Sequence, residues 1–456
     1  MATKSETVLL PGAIAVVPGR LLSSRSLIVR NVCFGLLDYM VQPLLMVLTA
    51  RYFVRHLGVS LFGVWMLVLA AVGSTGTLCS GFGDAALKYV SAMRGRCDFE
   101  GARQVIQTSL TLNFSFGVAL AVIFYALAPW ASTHIFRSDL ATAPTLISAL
   151  RIGGCLLIVR ALSLVYISTL RAFESYQAAT QITSITRVAI IICAVIVILQ
   201  NRGVVAILLG TLVCELAAVM ALMHAARSIA GPILFLPSVA MLNSRPLLSF
   251  GVFSWVQALS GTIFSQADRL IVAAMLGPAD LAYYGLCVQA AQPIHGLAAS
   301  ASNVLFPHLS ARFEQDPEAA LGARPWRAVW LNMIFVVVLS LPLLFLSKSI
   351  LSRWMGADFA HHAAASLSLV ALSFVFLALN VPGHYALLAL GRVRFLAGLN
   401  IVGGAVSVIV AVALIPHFGI LGAAMGRLTY GPITWLLYPK LKRLLSEHAV
   451  TVPIAA

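Results

Sequence analysis

Apolar runs of roughly 20 residues, separated by short polar connections, recur along this chain from Val32 almost to its C-terminal end. Only 10% of the 456 residues are charged, whereas a soluble domain carries about a quarter. In lipid, only helices and closed barrels satisfy their own backbone hydrogen bonds. The runs are too long and too continuously apolar for barrel strands. The pattern therefore predicts an all-α polytopic membrane protein.

The apolar runs divide into about 12 predicted transmembrane helices. Their approximate limits are 30–55, 61–80, 107–132, 143–169, 181–200, 203–226, 247–276, 281–307, 327–347, 364–389, 395–415 and 419–439. The first and seventh are longer than a bilayer requires, which indicates tilt or a kink. No connection between the helices is long enough to form a folded domain outside the membrane.

One segment of the chain is repeated. The run LGVSLFGVWML at 57–67 matches LGPADLAYYGL at 276–286, so that Leu57 pairs with Leu276 and Gly58 with Gly277, 219 positions later. The same offset continues without a gap to Ser91 against Ser310. An offset close to half the chain predicts two similar bundles of six helices, and many transporters carry their substrate path between such repeats.

The repeat predicts the domain organisation. Its limits are a cytoplasmic N-terminal tail at 1–25, an N-terminal bundle at 26–230, a cytoplasmic connector at 231–244, a C-terminal bundle at 245–445 and a cytoplasmic tail at 446–456. The connector contains two prolines and ends in polar residues, as a short link between bundles should.

The formal net charge of +15 is distributed unevenly between the two sides of the predicted membrane. With about 12 helices, the even-numbered connections share a side with both termini, and most Lys and Arg residues lie there. The opposite side has only Arg51, Arg55, Arg137, Arg202, Lys348 and Arg353. The positive-inside rule therefore predicts cytoplasmic termini. Topology and contacts with anionic membrane lipids account for the charge, and no nucleic acid is required.

Sequence motifs of soluble enzymes are missing. There is no nucleophile elbow, phosphate-binding loop or zinc-binding H-E-x-x-H, so we expect no catalytic residues, no metal site and no cofactor. The seven cysteines form neither a C-x-x-C pair nor a metal-binding pattern. The glycine-rich run GILGAAMG at 419–426 follows no strand and opens a membrane span. It is typical of close packing between helices.

Ionisable residues inside the spans are the strongest functional signal, because each is costly in hydrocarbon unless it faces a cavity or a partner. The basic residues are Arg151, Arg160, Arg187, Arg269 and Arg427. The acidic residues are Asp38, Glu215 and Asp268. Arginine stays charged when buried, and its planar fork can bind a phosphate through two hydrogen bonds. Five arginines against three acids predict a cationic lumen for an anionic head group.

These arginines have structural explanations too. Arg187 lies near the end of its span, and Arg151 and Arg427 lie near the opposite membrane surface, so all three could snorkel to an interface. Arg160 and Glu215 lie near the middle of spans four and six, where they could form an ion pair whose role is structural.

The three acids are candidates for coupling transport to a proton or sodium gradient. Asp38 could titrate, or it could be a hydrogen-bonded packing residue. Asp268 and Arg269 are neighbours in sequence and point about 100° apart on a helix, so they do not pair well with each other.

Several segments resemble one family of transporters. They are LG…FGVW at 57–65, GFGDAA…YVSA at 81–92, DRLI…LG…YY at 268–284, LFP…S at 305–310 and P…G…GAA at 416–424. In this order they resemble Wzx-type polysaccharide repeat-unit flippases, which are members of the multidrug/oligosaccharidyl-lipid/polysaccharide exporter superfamily. The resemblance covers about residues 26–440.

The resemblance implies two six-helix bundles in a V, alternating access and a polyprenyl-diphosphate-linked oligosaccharide as cargo. It also implies a bacterial inner-membrane location and a place beside other polysaccharide-assembly membrane proteins. Lumenal residues vary with the glycan in this family, so no binding residue is transferred from it.

Two alternatives stay open at this point. A multidrug antiporter of the same superfamily would carry cationic drugs and should have an acidic interior, contrary to the five arginines against three acids. A membrane glycan polymerase or ligase usually has a large periplasmic loop. The longest outer connection here, roughly 347–363, is too short for one.

Overall fold

The computed structural model describes residues 41, 43–136, 142–231, 266–315, 323–389 and 392–451. These residues form fourteen α-helices joined by short turns: α1 (43–57), α2 (Val59–Gly95), α3 (Phe99–Trp130), α4 (Ala143–Ala172), α5 (Tyr176–Leu199), α6 (Val204–Ala230), α7 (266–276), α8 (Pro278–Gln315), α9 (Ala323–Phe345), α10 (Ser347–Trp354), α11 (Ala357–Ala389), α12 (Val393–Phe418), α13 (Ile420–Thr434) and α14 (Leu437–Thr451). Helix α3 continues as a short π-helix, Ala131–Ile135. Asp38 lies outside the described residues.

The described parts of the predicted spans are helical, although the first span is described only from residue 41 and the seventh only from residue 266. Among the described residues, six helices are long and apolar enough to cross a membrane, and a seventh qualifies if α9 and α10 count as one span bent by 68°. The prediction of an all-α, multi-pass membrane protein is confirmed.

Near two predicted spans the structure has an additional helix that the sequence did not predict. The ninth was expected over 327–347, but the chain bends at Leu346 and continues as α10, where a loop was expected. The last was expected over 419–439, but α13 ends at Thr434 and α14 begins at Leu437. Pro439 has no N–H for the carbonyl four residues earlier, so it fits the first turn of a new helix better than the interior of a continuous one.

The two turns in the repeated segment have the same backbone conformation. Gly58 separates α1 from α2 with φ 78°, and Gly277 separates α7 from α8 with φ 94°. Such angles favour glycine, which has no Cβ. Beyond these turns, Trp65 and its repeat partner Tyr284 are both buried, with exposures of 1% and 0%. The two turns that the repeat relates therefore share a positive φ and a buried aromatic residue seven positions later. The predicted domain limits stay a prediction, because 232–265 lies outside the described residues.

The molecule has two ends. The Gly58 end carries the turns at Gly58 and Gly277. The Cys97 end carries the turn between α2 and α3, where Arg94 Nη1 donates to the carbonyl of Ala172 at the end of α4, 2.9 Å away.

At the Gly58 end, the N-terminal half (described residues 43–231) meets the C-terminal half (266–451) through α2 and α8. A Cβ on Gly63 would overlap the carbonyl of Pro278, and a Cβ on Gly285 would lie 2.8 Å from Met66 Cε. Glycine at these two positions lets the helices of the two halves approach closely.

The GILGAAMG segment packs as predicted. A Cβ on Gly422 would lie 2.5 Å from the backbone of Leu414, and a Cβ on Gly426 would lie 2.6 Å from Ala411. Helices α12 and α13 therefore pack backbone to backbone, and small residues are what allow this contact in a membrane.

Candidate functional site

The N-terminal half encloses a cavity of about 430 Å³ between α1, α2, α4, α5 and α6. Small-molecule sites are roughly 300–1,000 Å³ in volume. The polar side chains that line this cavity are Arg160, Ser163, Thr183, Thr186, Arg187, Thr211 and Glu215.

On α4 and on α5, the residues that line the cavity recur every three or four positions. Helix α5 contributes 183, 186, 187, 190 and 191, and α4 contributes 160, 163, 164 and 167. Positions three and four apart share a face of an α-helix, so one face of each helix, with polar and apolar residues, borders the same space.

Arg160 is held in the cavity by a single contact. Its Nε donates to Glu215 Oε1 at 3.1 Å, across the gap between α4 and α6. Among the described residues, Nε is the one nitrogen of Arg160 that donates a hydrogen bond. The side chains are 27% and 14% exposed, so both groups face the cavity. Glu215 thus orients the guanidinium, while the two terminal nitrogens stay available to an anion.

The hydroxyl groups that line the cavity all use their protons within their own helices. Ser163, Thr183, Thr186 and Thr211 each donate to a carbonyl three or four positions earlier in the same helix, at 2.8–3.1 Å. A hydroxyl has one proton and two lone pairs, so the oxygens of Ser163, Thr186 and Thr211 can still accept. The wall therefore suits a ligand with hydroxyl groups that donate.

Trp65 contributes a donor. The ring is 1% exposed and lines the cavity, and its Nε1 has no hydrogen-bond partner among the described residues. An edge-to-face contact with Phe53 of α1, at 4.9 Å, fixes the ring. A buried N–H without a partner is energetically costly.

A second charged centre lies in the C-terminal half. Asp268 Oδ2 accepts from Arg427 Nη1 at 2.5 Å and from the hydroxyl of Tyr284 at 2.7 Å, while Oδ1 accepts from the backbone N–H of Arg269 at 2.8 Å. Arg427 also lies over the ring of Phe374, 4.5 Å away. The void beside this centre is only about 10 Å³, room for at most one water.

The remaining predicted residues occupy other surroundings. Arg269 is buried in the C-terminal half, where its Nη1 donates to Gln266 at 3.3 Å and its Nε has no hydrogen-bond partner among the described residues. Arg151 lies over the ring of Tyr125 at 4.4 Å, away from the cavity. The structure therefore separates the arginines that the sequence predicts in one lumen, and Arg160 and Arg187 are the two that share the N-terminal cavity.

Sequence reasoning missed several groups at these sites. The hydroxyls of the cavity wall, the indole N–H of Trp65 and the hydroxyl of Tyr284 were not predicted. The spacing of Thr183, Thr186 and Arg187 would have indicated the polar face of α5. Nothing in the sequence signals the unpaired N–H of Trp65, because its lack of a partner depends on which residues pack around it.

The sequence also matches a known family. The profile of the family described as "Polysaccharide biosynthesis protein" matches residues 55–324, more than half of the 456-residue chain. The chain belongs to this family. The predicted resemblance to polysaccharide repeat-unit flippases is thereby confirmed at the level of the family.

Two relatives are similar to this chain over different lengths. A "Putative O-antigen transporter" from Shigella flexneri is 21% identical over 437 residues, which cover 93% of this chain and 98% of that protein. An "Uncharacterized membrane protein MJ1068" from Methanocaldococcus jannaschii is 23% identical over 205 residues. The second match spans 45% of this chain and 40% of that protein.

Solved structures share the fold. An inward-facing multidrug resistance MATE family transporter of the MOP superfamily superposes with a TM-score of 0.71, at 16% identity over 93% of this chain and 95% of that one. The lipid II flippase MurJ in an inward closed conformation gives 0.70, at 16% identity over 94% and 88%. These matches confirm the predicted fold, and the two solved proteins are named as a transporter and a flippase.

Proposed function

We propose that this protein is a flippase that moves a polyprenyl-diphosphate-linked oligosaccharide from the cytoplasmic to the periplasmic leaflet of a bacterial inner membrane. The family of polysaccharide biosynthesis proteins, the resemblance to a putative O-antigen transporter along nearly the whole chain and the fold shared with a lipid II flippase support the class of cargo. Other polysaccharide-assembly membrane proteins would supply the substrate and consume the product.

The single observation that carries the proposal is the arrangement around Arg160. Glu215 orients its guanidinium through Nε, which leaves the opposite edge of the fork directed at a cavity with room for a ligand. Two parallel N–H donors match two oxygens of a phosphate. Arg187 adds a second positive charge to the same cavity, and the accepting hydroxyls suit a sugar. At about 430 Å³ the cavity would hold the diphosphate and the nearest sugar, with the prenyl chain in lipid.

The proposal includes an orientation. The Cys97 end would face the cytoplasm together with both termini, and the Gly58 end, where the halves are in contact, would face the periplasm. Cys97 is exposed in the turn between α2 and α3. A membrane-impermeant thiol reagent should label it only from the cytoplasmic side, and labelling in intact cells would contradict the orientation.

Coupling to a proton or sodium gradient is part of the proposal as well. Of the two described acids, Glu215 is better placed to bind the coupling ion, because it faces the cavity and forms an ion pair with Arg160. Asp268 is enclosed by Arg427 and Tyr284, so a change in its charge would have to break a buried ion pair. Asp38 stays a candidate from the sequence.

The test is transport by purified protein in proteoliposomes. A fluorescent polyprenyl-diphosphate oligosaccharide is bleached by dithionite only in the outer leaflet, so the bleached fraction reports flipping. Arg160→Ala should weaken binding about 10-fold or more, since it removes charge-assisted hydrogen bonds, and Arg160→Lys should retain part of the activity.

Arg151→Ala is the matched control, because it removes the same group from the same helix outside the cavity. Normal flipping by Arg160→Ala, or equal loss in Arg151→Ala, would contradict the proposal. Protein level and thermal unfolding, measured alongside, would show whether Arg160→Ala acts through stability.

A multidrug antiporter is the second candidate, because the fold match to a MATE transporter favours it. The cavity contains two arginines and one glutamate, and this excess of positive charge disfavours binding of a cationic drug. Efflux of a cationic dye by the same proteoliposomes, without flipping of the labelled glycolipid, would support this candidate over the first.

A further inference from the structure

Helix α10 of the C-terminal half reaches across to α1 of the N-terminal half. Trp354 Nε1 donates to the carbonyl of Val47 at 3.0 Å, and Arg51 Nη1 donates to the carbonyl of Arg353 at 3.2 Å. The bonds join residues 307 and 302 positions apart, and one donor comes from each half. Two hydrogen bonds therefore connect one turn of α1 with the last turn of α10.

Helix α10 packs on α11 of its own half. After the 68° bend, Ser347 is 7% exposed and lies 2.9 Å from the hydroxyl of Ser368 on α11. Leu351 is 1% exposed in the main hydrophobic core, to which both halves contribute residues. A movement of the C-terminal half that keeps α10 packed on α11 would carry Trp354 with it.

Helix α1 is a wall of the cavity in the other half. Leu45 and Met46 line the cavity, directly before the carbonyl that Trp354 binds. Further along α1, Phe53 packs edge-on against Trp65, which also lines the cavity. Displacement of α1 would thus change the shape of the cavity on two sides.

We propose that Trp354 and Arg51 form a clasp that holds the two halves together at the Gly58 end and positions α1 as a cavity wall. Opening of this end has to break both hydrogen bonds, and α1 conveys the change to the cavity. The close contact of Gly63 with Pro278 lies at the same end, so the clasp and the packing of α2 on α8 open together. The clasp does not depend on which ligand the cavity binds.

The test is hydrogen–deuterium exchange of the full-length protein in detergent, without ligand. Trp354→Phe keeps the ring and removes the N–H. Loss of one such hydrogen bond should accelerate amide exchange about fivefold. The acceleration should occur together in α1 and α10, although they belong to different halves, and α4 and α5 should be unaffected. Trp330→Phe is the matched control, since this exposed tryptophan on α9 makes the same chemical change away from the clasp.

A second variant keeps the proposal testable if Trp354→Phe folds poorly. Arg51 is exposed, so Arg51→Gln should leave the fold intact and accelerate the same two segments, with Arg55→Gln on the same helix as its control. Exchange confined to α10, exchange raised throughout the protein, or exchange equal to wild type in both variants would each overturn the clasp.

Discussion

The two halves each hold an arginine and a carboxylate in contact between helices, yet the surroundings differ. Arg160 and Glu215 are joined by one hydrogen bond and are 27% and 14% exposed at the wall of a cavity of about 430 Å³. Arg427 and Asp268 are 5% and 9% exposed beside a void of about 10 Å³. The residue types are alike, so packing determines whether such a pair can meet a ligand.

The difference arises from neighbouring side chains. In the C-terminal half, Tyr284 donates to the carboxylate and Phe374 covers the guanidinium, while Gly422 and Gly426 allow α13 to close against α12. In the N-terminal half, polar residues on α4, α5 and α6 face an open space. We infer that the C-terminal pair stabilises the fold and that the N-terminal pair is the one suited to binding.

Removal of one arginine from each pair gives the largest expected contrast. Arg427→Ala leaves Asp268 charged and buried, and should lower the free energy of unfolding by about 3–5 kcal/mol. Arg160→Ala leaves Glu215 facing the cavity, and should cost about 0–1 kcal/mol. Denaturant unfolding of the purified proteins measures both. Arg427→Ala with Asp268→Ala should recover part of the loss, and equal costs for the two single variants would contradict the distinction.

The close packing of α12 and α13 can be tested with a methyl group. Gly426→Ala places a Cβ 2.6 Å from the Ala411 backbone and should cost about 1–3 kcal/mol through overpacking. Gly398→Ala on α12 is the control, because nothing lies within 4 Å of its added Cβ. Thermal unfolding in detergent compares the two. If Gly426→Ala unfolds at the temperature of the wild type, tight packing does not explain the closed C-terminal centre.

Two buried threonines, one in each half, extend the comparison of the halves to smaller changes in stability. Thr434 and Thr211 both donate to a carbonyl of their own helix, but Thr434 also accepts from Asn380 Nδ2 at 2.5 Å. Thr434→Val leaves that amide with a poorer partner and should cost about 1–2 kcal/mol, whereas Thr211→Val should cost less than about 1 kcal/mol. Flipping should show the reverse order, because Thr211 lines the cavity. A larger stability loss for Thr211→Val would contradict this assignment.

The smallest expected effect concerns Asp280, whose repeat partner in the N-terminal half is Leu61. Burial raises the pKa of the Asp280 carboxyl above its ordinary value, and nearby His362 opposes this effect. The folded protein then binds a proton more tightly than the unfolded chain, so stability is highest at low pH and falls as pH rises through the folded pKa.

Asp280→Asn should therefore stabilise the protein by about 0.5 kcal/mol or less at pH about 7, because water screens a half-buried group. It should have no effect at pH about 3, below the ordinary pKa of aspartate. Thermal unfolding across this range measures the difference, and destabilisation at neutral pH would be the contrary result.

Much of the fold follows from local properties of the sequence. Apolar runs of membrane length predict the helices because lipid offers their backbone no other partner. The repeated Gly58 and Gly277 predict equivalent turns, and both adopt positive φ. GILGAAMG predicts close helix packing, which depends only on the small size of its side chains. The intramembrane arginines mark where charge must find a partner, but not which partner.

The partners were decided by the tertiary structure. Arg427 meets Asp268 across 159 positions, and Trp354 meets Val47 across 307. Each contact depends on the rotation and tilt of two packed helices, and in a membrane these are set by interhelical packing rather than by hydropathy. The sequence by itself determined a twofold-repeated helical membrane protein with costly interior charges. Only the packing of its helices decided that one pair of charges faces a cavity and the other is sealed in the core.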